Sequence, residues 1–217
     1  MQFRGTFFFI KLSNYMKERV QKAIDEDAEI IDLCKRGNID AFEILVNKYQ
    51  KKMINISYRI IGNYEEACEI VQDAFVSAYK NMKCFRHDAK FSTWLYTIAV
   101  NLSRNRLKQL KVQGYREEPK LDDPVEIIDQ RSNRETVSVE PSILEKIEKR
   151  ENQELVHGCI NSLDLEFKEV IVLRDIQGFS YEEMSDMLNI KEGTIKSRLF
   201  RARESLKNCL KRVLGNL

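Results

Sequence analysis

Residues 180–203, SYEEMSDMLNIKEGTIKSRLFRAR, decide the fold of the C-terminal part of this chain, because they read as two short helices joined by a turn. Ser180 followed three residues later by Glu183 is a capping-box pattern, which places a helix start just after the serine. Asn189 follows an apolar pair and tolerates a left-handed backbone, so the first helix should end there. A second helix can start near Gly193.

The second helix has one buried side and a basic outer face. Its apolar residues recur at spacings of four, three and four, which places them on one stripe: Ile195, Leu199, Ala202 and Leu206. The residues that point away from this stripe are Thr194, Ser197, Arg198 and Arg201, and those along one flank are Lys196, Arg203 and Lys207. Hydroxyls and cations suit base edges and phosphates. The capped first helix, the turn and the basic second helix together predict a DNA-binding helix-turn-helix, rather than an ordinary amphipathic terminal helix with a solvated charged face.

Composition narrows the class of protein. A chain of 217 residues with 43% hydrophobic and 32% charged residues is typical of a soluble protein of one or two domains. Its five cysteines are odd in number, scattered and without CxxC spacing, so we expect no disulfide framework, no zinc site and a reducing cytoplasm. We find no glycine-rich phosphate loop, no metal-ligand spacing and no nucleophile with a plausible base, which argues against an enzyme.

The charge is unevenly distributed along the chain. Residues 112–155 carry seven basic and twelve acidic residues, and all three prolines fall among them. We therefore predict a linker over residues 112–141, which would let two domains reach separated sites, although it could equally be a spacer without function. The domains are then 28–111 and 142–217, after a partly disordered tail, 1–27, whose apolar run is too short for a signal peptide or a membrane span.

In the first domain, the spacing of apolar residues between Asn63 and Met82 predicts a helix that buries a broad apolar face. Asn63 is expected to cap its start. The opposite face carries an acidic and amide stripe, formed by Glu66, Glu69, Gln72 and Asp73. This stripe is either a solvated face or a docking surface for a basic partner protein, and composition does not decide between them.

A further helix is predicted from about Thr93 to Leu110, with Ser92 as its cap. Its polar face presents Thr97, Asn101, Arg104 and Lys108, where an amide could read a base edge and the cations could hold phosphates. The preceding loop, residues 84–91 (CFRHDAKF), mixes aromatics with cations and could hold an unstacked base. For Phe91 and Trp94 we favour a core position instead.

These segments closely resemble RNA polymerase sigma factors of the extracytoplasmic-function (ECF) group, in the sigma-70 family. The matching stretches are DAFEILVNKYQ, EIVQDAFVSAY, FSTWLYTIAVN and FSYEEMSDMLNIKEGTIKSRLFRARESL, in this order and with an acidic linker between them. The resemblance implies an all-α fold with two small helical domains, the second containing the helix-turn-helix. It also implies that the chain binds core polymerase, recognises promoter DNA through both domains and promotes promoter opening.

The resemblance also implies roles for particular residues. The first domain would bind core polymerase through the clamp of its largest subunit, using Glu69, Gln72 and Asp73. It would bind the minus-ten element through Phe85, Arg86, Lys90, Asn101, Arg104 and Lys108. The second domain would bind the minus-thirty-five element through Thr194, Lys196, Ser197, Arg198, Phe200, Arg201 and Arg203, and would approach the polymerase flap.

Further expectations follow from the same resemblance. No catalytic residue, metal or cofactor is expected. The protein would lie in the cytoplasm, or at the inner face of the membrane when an anti-sigma factor sequesters it. Two other classes remain open: a helix-turn-helix repressor or activator with a helical dimerisation domain, and an enzyme with an accessory DNA-binding domain.

Overall fold

The computed structural model describes residues 26–87, 89–112 and 154–215, and within them the chain is helical with no strand. This confirms the predicted all-α class. Almost all of the predicted tail, 1–27, and of the predicted linker, 112–141, lies outside the described residues. The domain boundaries stay a prediction.

The N-terminal lobe, residues 26–112, is built from four helices. They are α1 (Ala28–Lys35), α2 (Ile39–Ile61), α3 (Tyr64–Lys80) and α4 (Phe91–Val112), with a 3-10 turn at Met82–Cys84. Asn63 caps α3 as predicted, because its side chain accepts a hydrogen bond from the Glu66 amide at 3.0 Å.

Helix α4 begins two residues earlier than predicted, so that Ser92 lies inside its first turn and is not its cap. Phe91, the first residue of α4, is fully buried, and its ring packs near those of Tyr49 and Phe85. We attribute the earlier start to this packing, because burying an aromatic ring stabilises the fold by roughly 1.5–3 kcal/mol, more than a typical cap contributes.

Helices α2, α3 and α4 pack against one another around an apolar core, and α1 packs on α2. Leu45, Met53 and Ile56 of α2 are fully buried there. Asp27 is buried where the described chain begins, and its carboxylate accepts hydrogen bonds from Lys48 Nζ at 2.6 Å and from the Tyr49 hydroxyl. This pairing fixes the start of α1 onto α2.

The C-terminal lobe, residues 154–215, contains the predicted helix-turn-helix. Its helices are α5 (154–161), α6 (Leu165–Ile171, continued by a π-helical turn at Val172–Ile176), α7 (Tyr181–Leu188) and α8 (Glu192–Leu214). Both capping-box bonds are present: the Ser180 amide donates to Glu183 Oε2 at 2.8 Å, and the Glu183 amide donates to Ser180 Oγ at 3.1 Å. Asn189 ends α7 in the left-handed region with φ of 52°, as predicted.

The sequence indicated no disulfide framework, but the structure contains one disulfide. Cys159 in α5 and Cys209 in α8 form a disulfide, with their Cα atoms 5.7 Å apart. These cysteines are 50 residues apart in sequence, and only the packing of α5 against the end of α8 brings them together, so no spacing motif reveals them. Cys34, Cys68 and Cys84 are free thiols.

The two lobes pack against each other and share one apolar core. Helix α4 contacts α7, and α2 contacts both α6 and the π-helical turn. The ring of Phe179 lies 5.3 Å from that of Tyr96, and the Lys52 ammonium lies over both rings. The sequence reasoning predicted two domains with separate roles and did not anticipate this contact.

Candidate nucleic-acid interface

The outer face of α8 is open to solvent. Ile195, Leu199 and Ala202 are buried on the opposite side, as the spacing predicted. The predicted DNA-binding residues that are exposed on this helix are Thr194, Lys196, Ser197, Phe200, Arg201 and Arg203. Phe200 is 71% exposed, which is unusual for a large apolar side chain. The capped α7 holds this face in position, because its buried Met184 and Met187 belong to the same core.

Two of the predicted arginines on α8 are engaged within their own lobe. Arg198 Nη2 lies 2.7 Å from Glu166 Oε2 on α6, and Arg198 is half-buried. Arg203 makes two hydrogen bonds to Asp175, of 3.0 and 2.6 Å, which raise the pKa of Arg203. Arg201, by contrast, is exposed with no ion pair to the residues that the structure describes.

The polar face of α4 is only partly open. Asn101 and Lys108 are exposed as predicted. Arg104 turns towards the C-terminal lobe and makes a two-point contact with Glu169 of α6, with Arg104 Nη2 at 2.6 Å from Glu169 Oε2. Glu169 is 2% exposed, and its hydrogen bonds raise the pKa of Arg104. Sequence reasoning missed Glu169, which lies 65 residues further along the chain.

The loop before α4 places its aromatic and basic residues differently. Phe91 enters the core and Trp94 packs against it, as favoured from the sequence. Phe85 is also buried, at 7% exposure, with its ring 5.2 Å from that of Trp94 and 4.8 Å from that of His87. Arg86 and Lys90 are exposed beside it. A base-stacking role for Phe85 stays a prediction, and would require its ring to leave this cluster.

The acidic stripe on α3 is exposed over most of its length. Glu69, Gln72 and Asp73 face solvent. Glu66, at the start of the stripe, is held by Arg106 of α4, whose Nη2 lies 2.7 Å from Glu66 Oε1 and 3.7 Å from Glu69 Oε2. Sequence reasoning missed Arg106. The one signal in the sequence is the spacing of Arg104 and Arg106. Residues two apart on a helix do not share a face, so Arg106 has to lie on a different face of α4 from Arg104.

Within residues 26–87, 89–112 and 154–215, no group of three or more histidines, cysteines and carboxylates could hold a metal ion. None of the helices found in those ranges is long and apolar enough to cross a membrane.

Comparison with known protein families identifies both lobes. The Sigma-70 region 2 family model matches residues 45–112, and the Sigma-70 region 4 model matches residues 153–206. The first match covers α3, α4 and most of α2, and the second covers the helix-turn-helix.

Relatives align over most of the chain. The RNA polymerase sigma-H factor of Pseudomonas aeruginosa is 32% identical over 88% of this chain and 96% of its own length. The ECF RNA polymerase sigma-E factor of Escherichia coli is 34% identical over 84% of this chain and 93% of its own. Among solved structures, the sigma factor RpoE in complex with the anti-sigma factor NepR from Bartonella quintana matches with a TM-score of 0.57 and 23% identity, over 80% of this chain and 98% of that one.

Proposed function

The chain belongs to the extracytoplasmic-function group of RNA polymerase sigma factors, and we propose how its residues divide the work of promoter recognition. As a sigma factor it serves transcription initiation by binding core polymerase and recognising promoter DNA. The proposal assigns the minus-thirty-five element to α8 and the minus-ten element to α4 with its preceding loop. The observation that carries it is the exposed, hydroxyl-rich and basic face of α8 on a capped helix-turn-helix.

Helix α8 suits duplex DNA. A recognition helix lies in the major groove, with side chains near its N-terminus on base edges. Thr194, Lys196, Ser197 and Arg201 are exposed within its first three turns, where hydroxyls and cations can reach bases and phosphates. Arg198 and Arg203 join them only if they exchange Glu166 and Asp175 for phosphates.

Helix α4 suits a separated strand. Asn101 offers an amide that can pair with a base edge, and its exposure leaves it free to do so. Capturing a base that has left the stack offsets part of the cost of unstacking, which is a few kcal/mol. Arg86, Lys90 and Lys108 are exposed and could hold the neighbouring phosphates, with Arg104 joining them once released from Glu169.

The exposed stripe of Glu69, Gln72 and Asp73 on α3 is the proposed docking surface for the clamp of the largest polymerase subunit, and the C-terminal lobe is proposed to approach the flap. Complementary charge favours a basic partner for this stripe. We further propose a cytoplasmic protein without catalytic chemistry of its own. An anti-sigma factor is a proposed partner, since a structurally similar sigma factor forms such a complex.

The test is run-off transcription with purified core polymerase and a promoter library. We expect specific transcripts only when the chain and core polymerase are both present, with weak DNA binding by the chain alone. The matched pair of variants is Gln72→Ala on the stripe and Gln109→Ala on α4, both exposed amides. Q72A should weaken binding to core polymerase, and Q109A should not. Tight binding of a palindromic site by the isolated chain, with no transcription, would instead support the dimerising repressor.

A further inference from the structure

One disulfide stands beside several free thiols in this chain. Cys159 on α5 and Cys209 on α8 are joined, while Cys34, Cys68 and Cys84 are reduced. In the cytoplasm, where the chain is proposed to act, thiols are kept reduced, and the disulfides that do form are usually transient, catalytic or redox-sensing. A cysteine pair that the fold brings within bonding range is therefore a candidate redox-sensitive site.

The disulfide lies where α8 has little burial of its own. The buried stripe of α8 ends at Ala202, and none of the side chains of residues 203–213 is buried. Cys209 comes seven residues after Ala202, about two helical turns beyond the stripe. It is half-buried against α5, where Cys159 is 2% exposed. The disulfide thus provides a covalent attachment for a part of α8 that apolar packing holds only weakly.

The same helix carries the proposed DNA-binding face. Helix α8 runs without interruption from Glu192 to Leu214, and Arg201 lies eight residues before Cys209, or about 12 Å along the axis. With the disulfide formed, α8 is held along its first half by α6 and α7 and near its end by α5. Reduction removes the covalent part of the second attachment, so the orientation of α8 becomes less fixed. A binding surface that is fixed beforehand gains affinity, because less ordering is needed on binding.

The two cysteines differ in exposure, which determines how the bond is broken. Cys209 is half-exposed, with its Sγ atom 4.0 Å from Ser162 Oγ, whereas Cys159 is almost fully covered. A thiolate of a reducing dithiol therefore attacks the Cys209 sulfur and expels Cys159 as a thiolate, which takes up a proton. The second thiol of the reductant then attacks the mixed disulfide. This step releases the Cys209 thiol and leaves the reductant as a disulfide.

Oxidation by a peroxide closes the bond again. One of the two thiols attacks the peroxide, whose O–O bond breaks, and becomes a sulfenic acid while an alcohol or water leaves. The other thiol then attacks the sulfenic sulfur, the disulfide forms and water is released. Two electrons pass from the cysteine pair to the peroxide, so the exchange is balanced in both directions.

We propose that Cys159 and Cys209 form a reversible thiol–disulfide switch, which fixes α8 for duplex DNA when oxidised and loosens it when reduced. The oxidant is of the peroxide class and the reductant is a dithiol. This inference adds redox control to the proposed function, and rests on it for the role of α8 in binding DNA. The switch itself can be measured without DNA.

The first experiment follows the thiols and the helices of the full chain. The protein is treated with excess dithiothreitol, then with hydrogen peroxide, and its free thiols are trapped by alkylation and located by mass spectrometry. Cys159 and Cys209 should gain and lose the label together. In the reduced protein, amide hydrogen exchange in α5 and in the last turns of α8 should be at least about 30-fold faster, as expected when a disulfide that closes a long loop is lost.

The second experiment measures binding to a duplex that carries a promoter selected by run-off transcription. Fluorescence anisotropy should show about three- to tenfold tighter binding by the oxidised than by the reduced chain, as when one or two side chains no longer need to be ordered. Cys209→Ser should bind as the reduced wild type does under both conditions. Cys68→Ser, at a free cysteine on α3 of the other lobe, is the matched control and should respond as the wild type does. Reduced wild type carries no substitution, so the comparison stands even where C209S fails to fold.

A disulfide that persists in excess dithiothreitol under native conditions would overturn the proposal, because it would be a permanent cross-link. Thiols that peroxide does not join would also overturn it, as would equal exchange rates in the two states. A chain that binds the duplex with the same affinity in both states would exclude control of DNA binding. Failure of the proposed function has a different signature: neither state binds the duplex, although hydrogen exchange still responds to reduction.

Discussion

The two lobes differ in where the carboxylates that pair with their arginines come from, since Arg104 on α4 is paired across the lobes whereas Arg198 and Arg203 on α8 are paired within their own lobe. On α4 of the N-terminal lobe, Arg104 and Arg106 are both held by carboxylates, one from the other lobe and one from α3. On α8 of the C-terminal lobe, Lys196 and Arg201 remain exposed, and the Lys196 ammonium lies 3.7 Å from the neighbouring Glu192 and 5.2 Å from the centroid of the Tyr181 ring. A cation on the polar face of a helix is therefore available to DNA only when no distant carboxylate reaches it.

The difference also suggests an order of events. The face of α8 is open to solvent while the lobes are packed together, whereas Arg104 on α4 is paired with Glu169 of the other lobe. Exposed cations also accelerate association through long-range attraction. The C-terminal lobe would then make first contact, and strand capture would follow.

The largest expected effect tests how each lobe is held together. Cys209→Ser removes the disulfide that closes a long loop, and we expect a loss of about 2–4 kcal/mol in the stability of the C-terminal lobe. The N-terminal lobe, in which the described cysteines are free, should be unaffected. Hydrogen exchange of each lobe, with and without reductant, gives the measurement. Cys84→Ser, at an exposed free thiol, is the control. A wild type indifferent to reductant would contradict the expectation.

The next effect concerns strand capture by α4. Asn101→Ala should reduce promoter opening and relax choice at one base, a change of about 1–3 kcal/mol if a good base contact is lost. Permanganate reactivity on a promoter selected by run-off transcription measures it. Gln109→Ala, an exposed amide further along α4, should leave the pattern intact. Identical footprints for N101A and wild type would remove Asn101 from the site.

A smaller effect separates the open from the engaged arginines of α8. Arg201→Ala should lower the salt dependence of binding to duplex DNA by about 0.9 log unit per log unit of salt, since one phosphate contact is lost. Arg198→Ala should lower it less, because Arg198 is already neutralised by Glu166. Fluorescence anisotropy at several salt concentrations compares them. An equal or larger change for R198A would mean that Glu166 releases Arg198 on DNA.

The smallest effect is a pH dependence of the contact between the lobes. Burial, with Arg59 and Lys168 nearby, lowers the pKa of His157 to about 4 from an ordinary 6.5. In separated lobes the ring would regain solvent and lose the nearby Arg59, so its pKa would rise towards the ordinary value. As pH falls from 6.5 towards 4, His157 takes up a proton when the lobes are apart but not when they are packed together. The free energy that favours packing of the lobes therefore falls, by less than about 1 kcal/mol at pH 6.

The radius of gyration between pH 7 and pH 5 should therefore increase for the wild type. The His157→Phe variant keeps a ring to stack on Tyr58 but cannot be protonated, so it should show a smaller increase. An identical response in both proteins would assign the pH effect to other groups.

Much of the fold could be predicted because its signals are local. Ser180 and Glu183 are three residues apart, Asn189 ends its helix through its own backbone, and Ile195, Leu199 and Ala202 follow the helical repeat. The start of α4 was missed by two residues, since burial of Phe91 depends on rings elsewhere in the fold. The candidate site was predicted as a set of outward-facing side chains. Which of these side chains are paired with carboxylates of other helices could not be predicted in that way.

By itself the sequence determined α3, most of α4, the capped helix-turn-helix and the family, because each rests on local stretches of residues. Only the tertiary structure decided the rest. Arg104 meets Glu169 across 65 residues, Arg106 meets Glu66 across 40, and Cys159 meets Cys209 across 50. These pairs leave no spacing motif in the chain, because their contacts arise from how the helices pack. The physical consequence is that the availability of these charges is a property of the folded molecule.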